Sequence, residues 1–287
     1  MTTQTAAPDL AAIKARQQQT WASGDYGTIA TTLVLIAEQL CETVDLHAGD
    51  RVLDVAAGTG NAALAAARRY CDVTATDYVS HLLERARERA AAERLTITIQ
   101  EADAEALPFP DGSFDAVLSV VGVMFAPSQE RAAGELLRVC RPGGKIGLAN
   151  WTPEGFVGEM FRAIGRHVPP PVGVKPPPLW GTEARLRELF GNEVSSLQVI
   201  RRHHSFRYRS PQHWLETFRT FYGPMLKAFE AVGASGQERL AGDLLELAHR
   251  FNQSGDETLV APAEYLDVVA IKNRAAGPDR DHREDWR

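Results

Sequence analysis

The chain has 287 residues, 44% of them apolar and 24% charged, with a formal net charge of −6 and an isoelectric point near 5.8. These are the proportions of a globular protein, and the acidic balance argues against a nucleic-acid partner, which would need a basic face to displace phosphate counterions. No stretch reaches the roughly 18 apolar residues of a membrane span, and "MTTQTAAPDLAAIKARQQQTW" lacks the apolar core of a secretory signal, so a cytoplasmic protein without a membrane span is expected. Cys41, Cys71 and Cys140 are scattered and without CxxC spacing; they read as reduced, buried thiols, with no metal expected.

Residues 1–20 are polar and read as a frayed helix. From Ile29, the apolar positions Leu33, Ile36, Leu40 and Val44 recur at helical spacing, so an amphipathic helix precedes the first buried strand, "GDRVLDVA". "DVTATD" is a second strand, and "SHLLERARERAAAERL" a helix with Ser80 as its expected cap. "LTITIQ" alternates with period two, and "FDAVLSVVGV" is apolar almost throughout, as a central parallel strand should be. "SQERAAGELLRVCR" is a helix closed by Pro142–Gly144, and "KIGLANW" is a fifth strand. Strand and helix in alternation with short turns predict a parallel sheet covered by helices on both faces.

Past Trp151 the pattern changes. "GFVGEMFRAIGRHV" is helical, and "PPPVGVKPPPLWG" packs six prolines into an irregular loop. Thr182 caps a short helix ending at Gly191, and "VSSLQVIRRHHSFRYRS" is a strand. Ser210-Pro211 starts another helix, with proline in its first turn where a missing N–H is harmless. Ser235 and Glu238 read as a capping box ahead of "LAGDLLELAHRF", and "YLDVVAIKN" is the last strand. Residues 211–254 are thus a helical insertion between the last two strands, a natural lid over the carboxyl edge where open α/β sheets bind ligands. Residues 274–287 are a charged tail.

"LDVAAGTGNAAL" (residues 53–64) carries the chemistry. Gly58 and Gly60 let the backbone turn sharply after the strand and approach a ligand closely, and the helix that follows offers free N–H groups. Asp54 puts a carboxylate at the end of the first strand. Asp77 closes the second strand seventeen residues after Gly60 and can accept from both hydroxyls of a ribose. The spacing alone also satisfies the G-x-G-x-x-A form of a dinucleotide site. A pyrophosphate beside Asp54 would be repelled, whereas a cofactor carrying an ammonium and a sulfonium would be attracted.

Four ordered stretches, "VLDVAAGTGN", "ATDYV", "EADAEALPFPDGSFDAVLS" and "LLRVCRPGGKIGLANW", resemble the class I S-adenosylmethionine-dependent methyltransferases. "DAEALPFPDGSFD" most resembles the branch with the ubiquinone- and menaquinone-biosynthesis methyltransferases. The resemblance spans about residues 20–273 and is most specific over 50–150. It implies a Rossmann-like α/β fold: a doubly wound, mostly parallel seven-stranded sheet with the helical lid between its last two strands. The implied organisation is an N-terminal cofactor-closing segment (1–28), an S-adenosylmethionine-binding core (29–150) and a substrate-side half (151–273). Residue by residue, it implies that Asp54, Ala56, Gly58, Thr59 and Gly60 line the methionine part and that Asp77 holds the ribose. Tyr78 would lie on the adenine, Asp103 and Ala104 would meet its edge, and Val120 would touch the sulfonium side through its backbone. "WASGDYGTIA" resembles the helix that closes over the cofactor, with Trp21 and Tyr26 as walls. Asp103 also reads as a turn cap, Tyr78 as ordinary packing, and Trp21 and Tyr26 as a hydrophobic staple.

Methyl transfer asks for alignment, exclusion of water and, for a weakly acidic acceptor, a base. His203, His204 and His213 are the candidate bases, although each also reads as a structural or surface histidine; neighbours on a strand face opposite ways, so one of His203 and His204 at most faces a pocket. Phe125, Trp151, Phe156, Trp180, Trp214, Phe218, Phe221 and Tyr222 could line an apolar acceptor pocket. Trp214, Phe218 and Tyr222, at helical spacing, equally form a core stripe. The expected activity is methylation of a small, partly apolar molecule at oxygen, nitrogen or carbon, with S-adenosylmethionine consumed and S-adenosylhomocysteine released. Two alternatives are an S-adenosylmethionine-binding protein with a non-methylating role, such as a cyclase or regulator, and an NAD(P)-dependent oxidoreductase. Monomer and homodimer are equally compatible with the sequence.

Overall fold

In the computed structural model, which describes residues 8–274, the first apolar run is strand β1 (Arg51–Val55), paired in parallel with β2 (Asp72–Asp77) on one side. On its other side lies β4 (Phe114–Val120), also parallel. β3 (Thr98–Glu101) extends the sheet beyond β2, and β5 (Cys140–Trp151) beyond β4. β7 (Leu259–Lys272) runs antiparallel between β5 and β6 (Val194–Tyr208), giving the order β3-β2-β1-β4-β5-β7-β6. This is the doubly wound, mostly parallel seven-stranded sheet read from the sequence. The strand order reverses direction beside β1 and β4, and the crevice outside their carboxyl ends is where such sheets bind ligands.

Helices α1 (Leu10–Trp21) and α2 (Tyr26–Ala30) precede the sheet, followed by α3 (Val34–Val44). The crossover helices are α4 (Asn61–Ala67), α5 (Ser80–Ala92) and α6 (Gln129–Val139). Next come α7 (Phe156–His167) and α8 (Glu183–Phe190). Between β6 and β7 stand α9 (Pro211–Phe221), α10 (Gly223–Ala231) and α11 (Ala234–Phe251). The inserted helices do not stand free: α10 packs on α1 and α9 on α2. Gly223 marks the closest approach, since a Cβ there would lie 2.1 Å from the Thr20 carbonyl oxygen.

Several local expectations change. The polar N-terminal stretch is a formed helix from Leu10, because the Asp9 carboxylate accepts from the Ala12 N–H as an N-cap and Ile13 is buried. Ser80 is not the cap of α5; Val79 holds that position, and its N–H donates to Asp77. Ser235 and Glu238 do not form a capping box either, because α11 starts at Ala234 after Gly233 and takes no side-chain cap. β5 is continuous through Pro142–Gly144, with Gly143 at φ +73° and a register shift opposite Phe114–Ala116 absorbing the turn. β7 begins at Leu259, upstream of "YLDVVAIKN", because β6 is long enough to pair with the extra residues. The Thr182 and Ser210 caps form as read, accepting from Arg185 and His213 N–H groups. Apart from Arg274, the charged tail lies outside the described residues. No helix among the described residues is long and apolar enough to cross a membrane.

Candidate active site

At the carboxyl end of β1 the backbone reverses within five residues. Ala56, Gly58 and Gly60 all have positive φ, of 54°, 54° and 81°. Gly60 ends in the left-handed conformation and serves as the N-cap of α4. A left-handed alanine is uncommon and strained, and it does not stand alone: Val121, just past β4, sits at φ 46°. The two strained tips lie against each other, since a Cβ on Gly122 would stand 2.3 Å from the Ala56 carbonyl oxygen. Ser119 ties them together, donating to the Val55 carbonyl at 2.7 Å and accepting from the Val123 N–H at 2.9 Å. Strain of this kind persists only where the surrounding structure over-determines it, as these contacts do here.

Two buried carboxylates face the same crevice. Asp54, 1% exposed, accepts from the Ala63 N–H in the first turn of α4 at 2.8 Å. Burial pushes its carboxyl up to about 7; the Ala63 bond opposes this and the charge of Asp77 adds to it. Asp77, 5% exposed, accepts from Gly58 N–H at 2.8 Å and from Val79 N–H at 2.9 Å. Burial raises it to about 6 against those backbone donors. Asp77 therefore shapes the glycine turn as well as presenting charge. Arg89 of α5 holds the turn from behind, donating to the Thr59 carbonyl at 2.6 Å and to the Asn61 side chain at 2.8 Å.

The far wall is built by Tyr78, Asp103, Ala104 and the N-terminal helix. Lys14 of α1 pairs with both Asp103 and Glu105, and the Gln18 amide donates to the Tyr78 carbonyl. Asp103 also accepts from the Glu105 N–H, so its turn-capping role is real and coexists with its place in the wall. Trp21, at the end of α1, meets Tyr26, Phe125 and Tyr222 edge to face at centroid distances of 5.6, 4.8 and 5.7 Å. Three separate chain segments thus meet on one indole.

These groups enclose a cavity of about 950 Å³, counted to its open mouth. Of the expected cofactor residues, Trp21, Tyr26, Asp54, Ala56, Gly58, Thr59, Asp77, Tyr78, Asp103, Ala104 and Val120 all line it. Gly60 stands behind the turn, where a Cβ would press to 2.9 Å from Ala86. Val120 is the last residue of β4. A second, smaller space, about 330 Å³ with open solvent included, adjoins the first and shares Trp21, Tyr26, Leu33, Val121 and Phe125 with it. Trp151, Phe218 and Tyr222 line this smaller space.

The remaining candidates lie elsewhere. Phe156, Trp180 and Trp214 line neither cavity; each is fully buried, and Phe156 packs against Trp214 at 5.1 Å in the core. Phe221, too, lines neither. The three histidines also stand outside both cavities. His203 is exposed beside Glu264, and His213 accepts from the Arg209 N–H through Nδ1. His204 is packed against Trp151 and Phe206, and burial depresses its pKa. Its side of β6 is the inner one, as strand alternation required, but the neighbouring aromatic rings fill the space in front of it. Sequence reasoning missed Lys14, Arg89 and the strained Val121. Arg89 was hidden because its helical spacing looks like a solvated face, and Val121 because an apolar run does not reveal positive φ.

The methyltransferase-domain family matches residues 53–148. The chain is 41% identical over 277 residues to the uncharacterized protein Rv1403c of Mycobacterium tuberculosis, covering 95% of this chain and all of that one. It is 38% identical over 131 residues to the demethylmenaquinone methyltransferase of Deinococcus radiodurans, spanning 44% of this chain and 54% of that enzyme. In three dimensions it resembles the YcgJ protein of Bacillus subtilis, with a TM-score of 0.58, 20% identity, and coverage of 86% and 100% of the two chains.

Proposed function

The chain belongs to the class I S-adenosylmethionine-dependent methyltransferases, and on that premise we propose that it moves a methyl group from S-adenosylmethionine to a small, partly apolar acceptor by in-line displacement. The observation that carries this reading is the pair of buried carboxylates, Asp54 and Asp77, on a strained glycine turn. Among the described residues lining the larger cavity, Lys14 is the lone cation, and it is engaged with Asp103 and Glu105 two strands away from the turn. Arg89 lies behind the turn, outside the lining. A diphosphate would therefore meet negative charge without a counter-ion, whereas a cationic sulfonium nucleoside offers the two buried carboxyls an opposite charge. The donor set fits the sulfonium cofactor and disfavours the nicotinamide alternative.

Asp77 would hold the ribose and Asp54 the amino end of the methionine part, with Tyr78 and Ala104 against the adenine. S-adenosylmethionine supplies a methyl carbon already activated by its sulfonium. The protein's share is alignment and the exclusion of water. Trp21 and Phe125 would supply the dry wall, and Val121 lines both cavities. The inserted helices would act as a cover for this space, in keeping with the contact of Tyr222 on Trp21 at 5.7 Å.

Calorimetry with S-adenosylmethionine and with NAD(H), followed by detection of S-adenosylhomocysteine across a panel of phenols, quinones and amines, tests the reading. Saturable S-adenosylmethionine binding and turnover of one acceptor class are expected. NAD binding in the absence of S-adenosylmethionine binding would overturn it.

A further inference from the structure

One face of α1 lines the larger cavity through Lys14, Gln17 and Trp21, spaced three and four residues apart. The helix is tied to the cavity wall on either side of Gln17. Lys14 pairs with Asp103 and Glu105, the Gln18 amide donates to the Tyr78 carbonyl, and Trp21 meets Phe125 at 4.8 Å. Amid these anchors the Gln17 Oε1 is buried and accepts from no donor among the described residues. Asp103, by contrast, is already served. One of its oxygens takes the Lys14 ammonium and the other the Glu105 N–H at 2.9 Å. Its side chain is 37% exposed, so water reaches the lone pairs that remain.

We infer that Gln17, and not Asp103, is the residue that reads the exocyclic amine of the cofactor's adenine. The inference rests on the S-adenosylmethionine reading for its ligand, and on the hydrogen bonds of this wall for the residue. A buried acceptor without a partner gains fully when a donor arrives, whereas one that already holds an ammonium and a backbone N–H gains little. The Lys14 ammonium also offsets the Asp103 charge that would draw an amine. S-adenosylmethionine carries three kinds of donor: the ammonium of its methionine part, the ribose hydroxyls and the amine of the base. Asp54 and Asp77, at the glycine turn, answer the first two. Gln17 belongs to the helix tied to Tyr78, Asp103 and Glu105, which leaves it the third. Gln17 lies upstream of residues 53–148, the span that matches the methyltransferase-domain family, so the ordered motifs point to Asp103 and pass over it.

The test compares, by calorimetry, S-adenosylhomocysteine with its analogue in which hydrogen replaces the amino group of the purine. A 6-oxo analogue would not serve, because a glutamine amide can turn over and donate to it. The wild-type protein should bind the amino form at least about tenfold more tightly, since the analogue leaves a buried acceptor without its donor. Gln17→Met, similar in length and lacking the acceptor, should bring that ratio below about threefold. It should bind the analogue at least as tightly as the wild type does, which also reports that the variant is folded; Gln17→Leu is a second variant with the same expectation. Asp103→Asn, whatever it does to affinity as a whole, should keep the ratio at about tenfold. Equal binding of the two ligands by the wild type, or a ratio that survives removal of the Gln17 amide, overturns the inference. A ratio kept in Gln17→Met and lost in Asp103→Asn would return the amine to Asp103. No binding of S-adenosylhomocysteine by the wild type would strike the methyl-transfer reading itself, a result distinct from two ligands bound alike.

Discussion

The two adjoining cavities are made by opposite means. The larger is built from backbone: a turn with three positive φ angles, N–H groups aimed at Asp54 and Asp77, and two strand tips forced together at Gly122. Its lining falls between Lys14 and Pro127, in the first half of the chain. The smaller is built almost wholly from side chains, and these come from α1, α2, β5, β6, α7 and α9 together with the turn after β4. A backbone-built site tolerates little change in its turns, whereas a side-chain-built site can be re-lined one residue at a time. The first suits a cofactor held in common, the second a substrate that differs from one enzyme to the next.

That contrast can be broken or sharpened by substitution. The largest effect is expected at Gly122, where a Cβ has no room beside the Ala56 carbonyl. Gly122→Ala should lower stability by about 2–3 kcal/mol in urea unfolding and abolish S-adenosylmethionine binding. Wild-type stability there would mean that the two strand tips are soft.

Asp77→Ala should weaken S-adenosylmethionine binding by about 1–3 kcal/mol in calorimetry. It should also destabilise the protein, since the Gly58 and Val79 N–H groups lose their acceptor. Unchanged affinity would remove the ribose assignment.

The pH response follows from the raised carboxyls at about 7 and about 6. Because both lie above their ordinary value in the folded state, they favour the ligand-free fold below about pH 4 and this contribution is lost as pH rises through about 6 to about 7. A cationic ligand binds the deprotonated pair, so S-adenosylmethionine affinity should rise over that same interval and the thermal shift it produces should be larger at pH 8 than at pH 5.5. A flat profile would contradict the electrostatic assignment.

A smaller effect is expected at Arg89, which holds the glycine turn through Thr59 and Asn61. Arg89→Met should weaken the cofactor by about 1 kcal/mol, read in the same titrations. Unchanged affinity would show that the glycine turn holds its shape without this support.

The same contrast explains what could be read in advance. β1, Gly58, Gly60, Asp54 and Asp77 were legible because backbone geometry leaves local marks: an apolar run, glycines at fixed spacing and acids at strand ends. The alternation of strands and helices announced a parallel sheet covered on both faces, but the strand order and the antiparallel insertion of β7 between β5 and β6 were not legible in it. The smaller cavity was only half legible. Trp214, Phe218 and Tyr222 share one helical stripe, yet Trp214 enters the core while Phe218 and Tyr222 reach the cavity. Spacing cannot separate them, because the divide is set by where α9 meets α2 and β6. The histidines misled for a similar reason, since a base can be nominated by residue type but only packing decides that Trp151 and Phe206 stand in front of His204. Caps failed where another group already did the work, as Asp77 does at the start of α5.

The central claim is that the crevice at Asp54 and Asp77 was shaped for a cationic nucleoside. Titrating the protein with S-adenosylmethionine at about pH 6.5, in two buffers of different protonation enthalpy, measures both the binding and the protons exchanged. Saturable binding with net proton release is predicted, as the positive ligand draws both carboxyls to their charged form. Binding with proton uptake, or no binding while NAD binds, would contradict it.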